Sequence, residues 1–190
     1  MTPTHLSGRP AIPSLPTVLD AFNIAPADAA RKLLLDCLRS LRWADRVAAH
    51  RPYPDAPALL AACDEAAYDL TAGDLAEALA GETLPSLPDD AYGAAHMALG
   101  AAHAAYEAKF GHAFVICLDA LHPDEALDHV LAEIRSRLTN DPEDERVVAA
   151  DELRDLAKGR LLNLLRNAVP GAGPGTGPMA GPIPGPCVGP

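Results

Sequence analysis

Aromatic side chains are scarce in this chain: they make up 4% of its 190 residues, and Trp43 is the only tryptophan. Alanine and leucine dominate instead, so a core has to be built from helices packed closely through small side chains. Positive charge is also in short supply, with 15 Lys and Arg against 26 Asp and Glu and a formal net charge of −11. That balance argues against a nucleic-acid partner, because phosphate contacts need clustered Lys and Arg. It also leaves no polybasic segment to hold the chain on an anionic membrane. No apolar run approaches the roughly 20 residues of a spanning helix. The opening "MTPTHLSGRPAIPSLP" places proline where a secretory leader needs an apolar helix. The four cysteines, Cys37, Cys63, Cys117 and Cys187, form no C-x-x-C pair, which disfavours a zinc site or a redox motif. Three of them lie in apolar runs, as buried free thiols do. The expectation is a cytoplasmic protein without a membrane segment. G-x-S-x-G, P-loop and G-x-G-x-x-G motifs are missing as well.

What is there is helical pattern between two tails. Residues 1–17 are Pro-rich and 169–190 are Gly/Pro-rich, with "PGAGPGTGPMAGPIPGPCVGP" too irregular for collagen; both read as disordered. In the intervening 18–168, Ala30, Leu33, Leu34, Cys37 and Leu38 share one face of a helix beginning after Pro26. A helix carrying Trp43 and Val47 has to end before Pro52. Asp55 with Pro57, Thr71 with Gly81, and Asp141 with Pro142 mark further starts and stops. Helices are expected from about Asp90 to Lys109, from His122, and from Asp141 to about Asn167. Only "AFVICL" reads as a strand, and one strand makes no sheet. The fold class is all-α, a single-domain helical bundle.

Few polar residues stand out. Leu153, Leu156, Arg160 and Leu164 are spaced 3, 4 and 4, which puts an arginine on a leucine face. Such an arginine either packs its stem at the edge of the face or points into a pocket, where its fork binds a carboxylate or ureide. His96 and His103 lie seven apart, whereas a helical metal pair uses three or four. No metal site is expected. His122–Pro123 reads as a helix boundary, and His112 lies where it would line a pocket if one forms. "NDPEDE" is explained by acids at a helix N-terminus.

Several segments carry a resemblance: "LDAFNIAPADA", "LRWADRVAAHRPY", "ALLAACDEAAYDLTAGDLAEALAG", "AYEAKFGHAFVICL", "RSRLTNDPEDERVVAADEL" and "GRLLNLL". Over most of residues 19–166 the chain resembles the 2-oxo-4-hydroxy-4-carboxy-5-ureidoimidazoline (OHCU) decarboxylases of the urate-to-allantoin pathway. The resemblance implies a helical bundle, a homodimer, no metal or organic cofactor, and a small-molecule ureide substrate. It implies that Phe114, Val115, Ile116, Cys117 and Leu118 line the substrate pocket and that Arg160 belongs to the site.

The chain departs from the family where acid–base chemistry is expected. "ALAGETLPSLP" puts Glu82 at the position of the family's catalytic histidine and Thr83 at that of the following proline, and a Ser-x-x-Glu-Gln segment is missing. An ionised carboxylate beside an anionic substrate repels it, by about 4 kcal/mol for charges ~4 Å apart at an effective dielectric near 20. As a catalytic residue, Glu82 would have to be protonated through burial. Two functions are therefore expected: a decarboxylase with Arg160 as anion clamp and Glu82, or an imported histidine such as His112, moving the proton; or a catalytically silent paralogue that binds a ureide or a protein partner through the same pocket.

Overall fold

The computed structural model describes residues 17–83, 93–119 and 121–167. The two expected disordered tails lie outside these residues, save for Thr17. Among the described residues there are eight helices: α1 (Val18–Ile24), α2 (Ala27–Cys37), α3 (Leu41–Ala49), α4 (Ala56–Tyr68), α5 (Ala72–Ala80), α6 (Gly93–Phe110), α7 (Pro123–Arg137) and α8 (Pro142–Asn167). No strand occurs among the described residues, and the chain is all-α.

The boundary chemistry read from the sequence is what stops and starts these helices. Asp55 accepts from the Ala58 N–H at 2.8 Å, and Thr71 exchanges side-chain and backbone hydrogen bonds with Asp74 in a capping box. His122 and Pro123 are the first cap and first residue of α7. Gly81 closes α5, but with φ −88°, not in a left-handed turn. It is needed for space: a Cβ here would meet the Arg39 side chain at 2.3 Å.

α1 was not among the expected helices. Seven residues are too few for periodicity to register. Its signal is local: Thr17 and Asp20 form a second capping box. At its other end Arg51 donates to the Phe22 and Ala25 carbonyls at 2.7 and 2.8 Å, and Asn23 exchanges two backbone bonds with Tyr53.

Two apolar clusters result. The larger gathers Phe22, Leu34, Trp43, Val47, Leu59, Leu153 and Leu161, with α8 packed against α1, α2, α4 and α5. Trp43 is fully buried and donates its indole N–H to the Cys63 carbonyl at 2.9 Å. The smaller, between α6 and α7, holds Tyr106, Phe114, Ile116, Val130 and Ile134.

The "AFVICL" segment lies between the two clusters. It is not a strand, but its side chains alternate as a strand's do: Phe114 and Ile116 enter the smaller cluster and Val115 the larger. Side chains take the place of a neighbouring strand. Arg137 donates to the Val115 carbonyl at 2.8 Å, and Glu152 accepts from the Cys117 N–H at 2.7 Å.

Candidate active site

The structure brings together the two residues singled out for chemistry. Arg160 lies near the C-terminal end of α8, anchored by buried Leu153, Ala157 and Leu161. Glu82 lies one residue past Gly81, where its N–H still bonds back to the Leu79 carbonyl at 3.1 Å. The Arg160 Nη1 and Nη2 donate to the two Glu82 oxygens at 2.8 and 2.7 Å. Nη1 also donates to the Cys37 carbonyl at 3.0 Å, at the C-terminal end of α2, where carbonyls lack intrahelical partners and the dipole favours a cation. The Glu82 side chain is 6% exposed and that of Arg160 37%. The bond to Glu82 raises the Arg160 pKa, against the opposing effect of burial. Arg160 is thus neither an edge residue with its head in water nor a clamp awaiting a ligand. It is a clamp holding a carboxylate of its own chain.

Gly159 shapes the same place. A Cβ there would lie 2.1 Å from a carboxylate oxygen of Asp119, so the glycine lets Asp119 rest directly on α8. Asp119 adds a second negative charge near Arg160.

Next to Glu82 is a two-lobed cleft. One lobe, about 370 Å³, is bounded by Leu79, Glu82, Glu107, His112 and Ala113. The other, about 350 Å³, is bounded by Leu75, Ala76, Phe110, His112, Pro142 and Arg146. Leu79, Ala80, Gly111 and His112 belong to both. Gly111 makes the turn at φ +78°, a conformation that favours glycine. His112 Nδ1 lies 3.0 Å from the Ala113 carbonyl, which can only accept, so this nitrogen is the donor and Nε2 is the one left for another partner. Glu82 and His112, the two alternatives for proton transfer, therefore border one lobe.

The five residues of "FVICL" are placed differently. Phe114, Val115 and Ile116 are buried in the two clusters, and Cys117 and Leu118 are half-buried. None of the five borders either lobe of the cleft. With three side chains committed to packing, what this stretch can offer a ligand is chiefly backbone. Burial pushes the Cys117 thiol above its ordinary value, which keeps it a poor nucleophile.

A buried polar network lies beside the site, and sequence reasoning missed it. Arg137 and Glu145 are both buried; Nε donates to Oε1 at 2.8 Å and Nη2 lies 2.6 Å from the same oxygen. The Tyr106 hydroxyl also donates to Oε1, and Asn140 donates to Oε2 at 2.8 Å. Lys109 donates to the Leu138 and Asn140 carbonyls at 2.8 and 2.7 Å. "NDPEDE" is therefore more than a run of acids at a helix start, because its last glutamate is a core ion. A signal existed: Val130, Ile134 and Arg137 are spaced 4 and 3, so Arg137 falls on the apolar face of α7.

Among the described residues no cluster of His, Cys, Asp and Glu could hold a metal ion. His103 is buried, and the side chain of His96 lies outside the described residues. No described helix is long and apolar enough to cross a membrane.

Fold and site together define an all-α protein with a paired arginine and carboxylate, the carboxylate bordering an open cleft. The family model described as OHCU decarboxylase matches residues 23–89 and 86–162, and the chain belongs to that family. The two matched segments overlap at 86–89. Among solved structures, the chain is similar to one titled "Crystal structure of (S)-allantoin synthase", with a TM-score of 0.62 and 20% identity. That similarity covers 78% of this chain and 54% of the other, so the chain spans about half the length of that protein. No curated protein matches the sequence.

Proposed function

We propose that this chain carries out a cofactor-free decarboxylation of a small ureido-imidazoline carboxylate, in the chemistry that leads from urate to allantoin. The observation that carries the reading is the two-point grip of Arg160 on a carboxylate, in a half-buried setting, in a chain of this family. Such a grip fixes a carboxylate in both position and plane. With the substrate carboxylate held there, the C–CO₂ bond breaks and its electron pair passes to the adjacent imine or carbonyl. Preorganised donors help most at that point. A proton must then reach one face of the carbon. His112, on the border of the cleft, is the candidate to deliver it. Glu82 could do so only after leaving Arg160 and taking up a proton, and residues 114–118, which border neither lobe, enter only as the family's expectation for orienting the ring.

A second reading is favoured by the same pair. The carboxylate in the grip is Glu82, and a chain whose clamp stays closed would bind a ureide in the cleft without turning it over. A homodimer belongs to either reading as an expectation from the family.

The test is to generate OHCU enzymatically from urate, add the purified full chain, and follow chiral allantoin by circular dichroism. Stereospecific acceleration over the spontaneous reaction, reduced at least tenfold in Arg160→Met, supports decarboxylation. A wild type without turnover that gains it on Glu82→His with Thr83→Pro supports the silent reading. No turnover in either, with no allantoin binding by calorimetry, removes both.

A further inference from the structure

We propose that Glu82 is a resident competitor for the carboxylate seat on Arg160, so that the site admits a carboxylated ligand only by exchange with Glu82. The inference deepens the reading of Arg160 as the substrate's carboxylate clamp and rests on it. Glu82 occupies the end of the guanidinium through both Nη atoms, and the Cys37 carbonyl uses Nη1 a second time. An anion approaching the other edge of the guanidinium would find it already neutralised by Glu82 and would face the charge of Asp119 as well. The existing seat is therefore the one to be contested.

Three observations make exchange feasible. Arg160 is reachable, being the more exposed partner. Glu82 borders a cavity of about 370 Å³, so a released side chain has somewhere to turn. His112 borders the same cavity, with Nε2 as the ring nitrogen not bonded to the Ala113 carbonyl, so a polar partner stands beside the space into which Glu82 would turn. Exchange replaces one guanidinium–carboxylate pair with another, so Arg160 loses nothing. The incoming ligand, however, loses affinity in proportion to the fraction of time the seat is vacant. The device would select for ligands that carry more than a carboxylate, because only additional contacts to the cleft can tip the exchange.

The experiment uses the full chain, acetate as probe, and the backbone amide resonances of residues around Glu82 and Cys37 as readout, with the Arg160 side-chain N–H resonances added where Arg160 is present. We expect Glu82→Ala to bind acetate saturably and at least tenfold more tightly than wild type, and Arg160→Met in that background to abolish binding. Glu82→Gln, which keeps the side chain's size, serves as a second variant should Glu82→Ala fold poorly. Equal acetate affinity in wild type and the folded variants would overturn the proposal, and so would no acetate binding by any of them. Acetate binding by Glu82→Ala, with no allantoin formed by any variant, keeps the exchange and removes the decarboxylase reading. Allantoin formation by wild type with no gain of acetate binding in either Glu82 variant does the reverse.

Discussion

Two arginine–glutamate pairs hold this molecule's polar interior, and they differ in what surrounds them. Arg137 and Glu145 are sealed on all sides, with Tyr106, Asn140 and the Val115 carbonyl completing their hydrogen bonds. Arg160 and Glu82 join residues 78 apart in sequence, with Glu82 bordering an open cleft and Arg160 a third exposed. The sealed pair can only brace. The open pair can be taken apart, and only there does binding a ligand become an alternative to folding.

Breaking the sealed pair should have the largest effect. Arg137→Met leaves the Glu145 charge buried without its partner, at a cost of about 3–5 kcal/mol. Urea denaturation should show a midpoint far below wild type or no folded baseline. Replacing both partners with apolar residues should recover much of that loss, since a well-packed apolar pair is often no worse than a buried ion pair. At the open pair, Glu82→Gln should cost less, about 1 kcal/mol, because the amide still accepts from Arg160 and the guanidinium, a third exposed, keeps part of its solvation. A Glu82→Gln loss as large as that of Arg137→Met would erase the distinction.

Gly159 gives an intermediate test. Gly159→Ala improves helix propensity by about 1 kcal/mol but drives a methyl into the Asp119 carboxylate. We expect net destabilisation of about 1 kcal/mol in thermal melts, relieved when Asp119→Gly is added. A stabilised single variant would mean that Asp119 moves aside freely.

The smallest effect concerns pH. His103 is buried edge-on to Phe114, with ring centroids 5.7 Å apart, and among the described residues neither ring nitrogen has a hydrogen-bond partner. Burial lowers its pKa below the ordinary 6.5, with the charge of Glu107 opposing. The unfolded chain then binds the proton more readily, so the contribution of His103 is intact above pH 6.5 and is lost as pH falls from there towards the folded value. His103→Phe should flatten the dependence of the melting temperature on pH over that interval.

Most of the fold was legible because its signals are local. Asp55, Thr71, His122–Pro123 and the leucine face of α8 each declare a helix within a few residues. α1 was not, because a capping box such as that of Thr17 and Asp20 is a weak signal without a long apolar face behind it. Arg160 stood out as an arginine among leucines, and Glu82 as a carboxylate where the resemblance led one to expect histidine. Their mutual bond could not be read, since nothing in spacing reports contact across 78 residues. Arg137 and Glu145 were hidden for another reason: acids at the start of a helix are so well explained by the dipole that a buried one among them attracts no notice.

The segment of residues 113–118 has a consequence for how the molecule comes apart. With Phe114 and Ile116 in one cluster and Val115 in the other, neither cluster can loosen without withdrawing side chains from its neighbour. A chain of mostly short helices would otherwise be free to fray in sections, α6 with α7 separately from the rest, each with its own opening free energy. Threading a single stretch through both clusters makes them one cooperative unit. The Cys117 amide, bonded to Glu152 on α8, should then exchange its hydrogen only as fast as amides deep in α3 and α4.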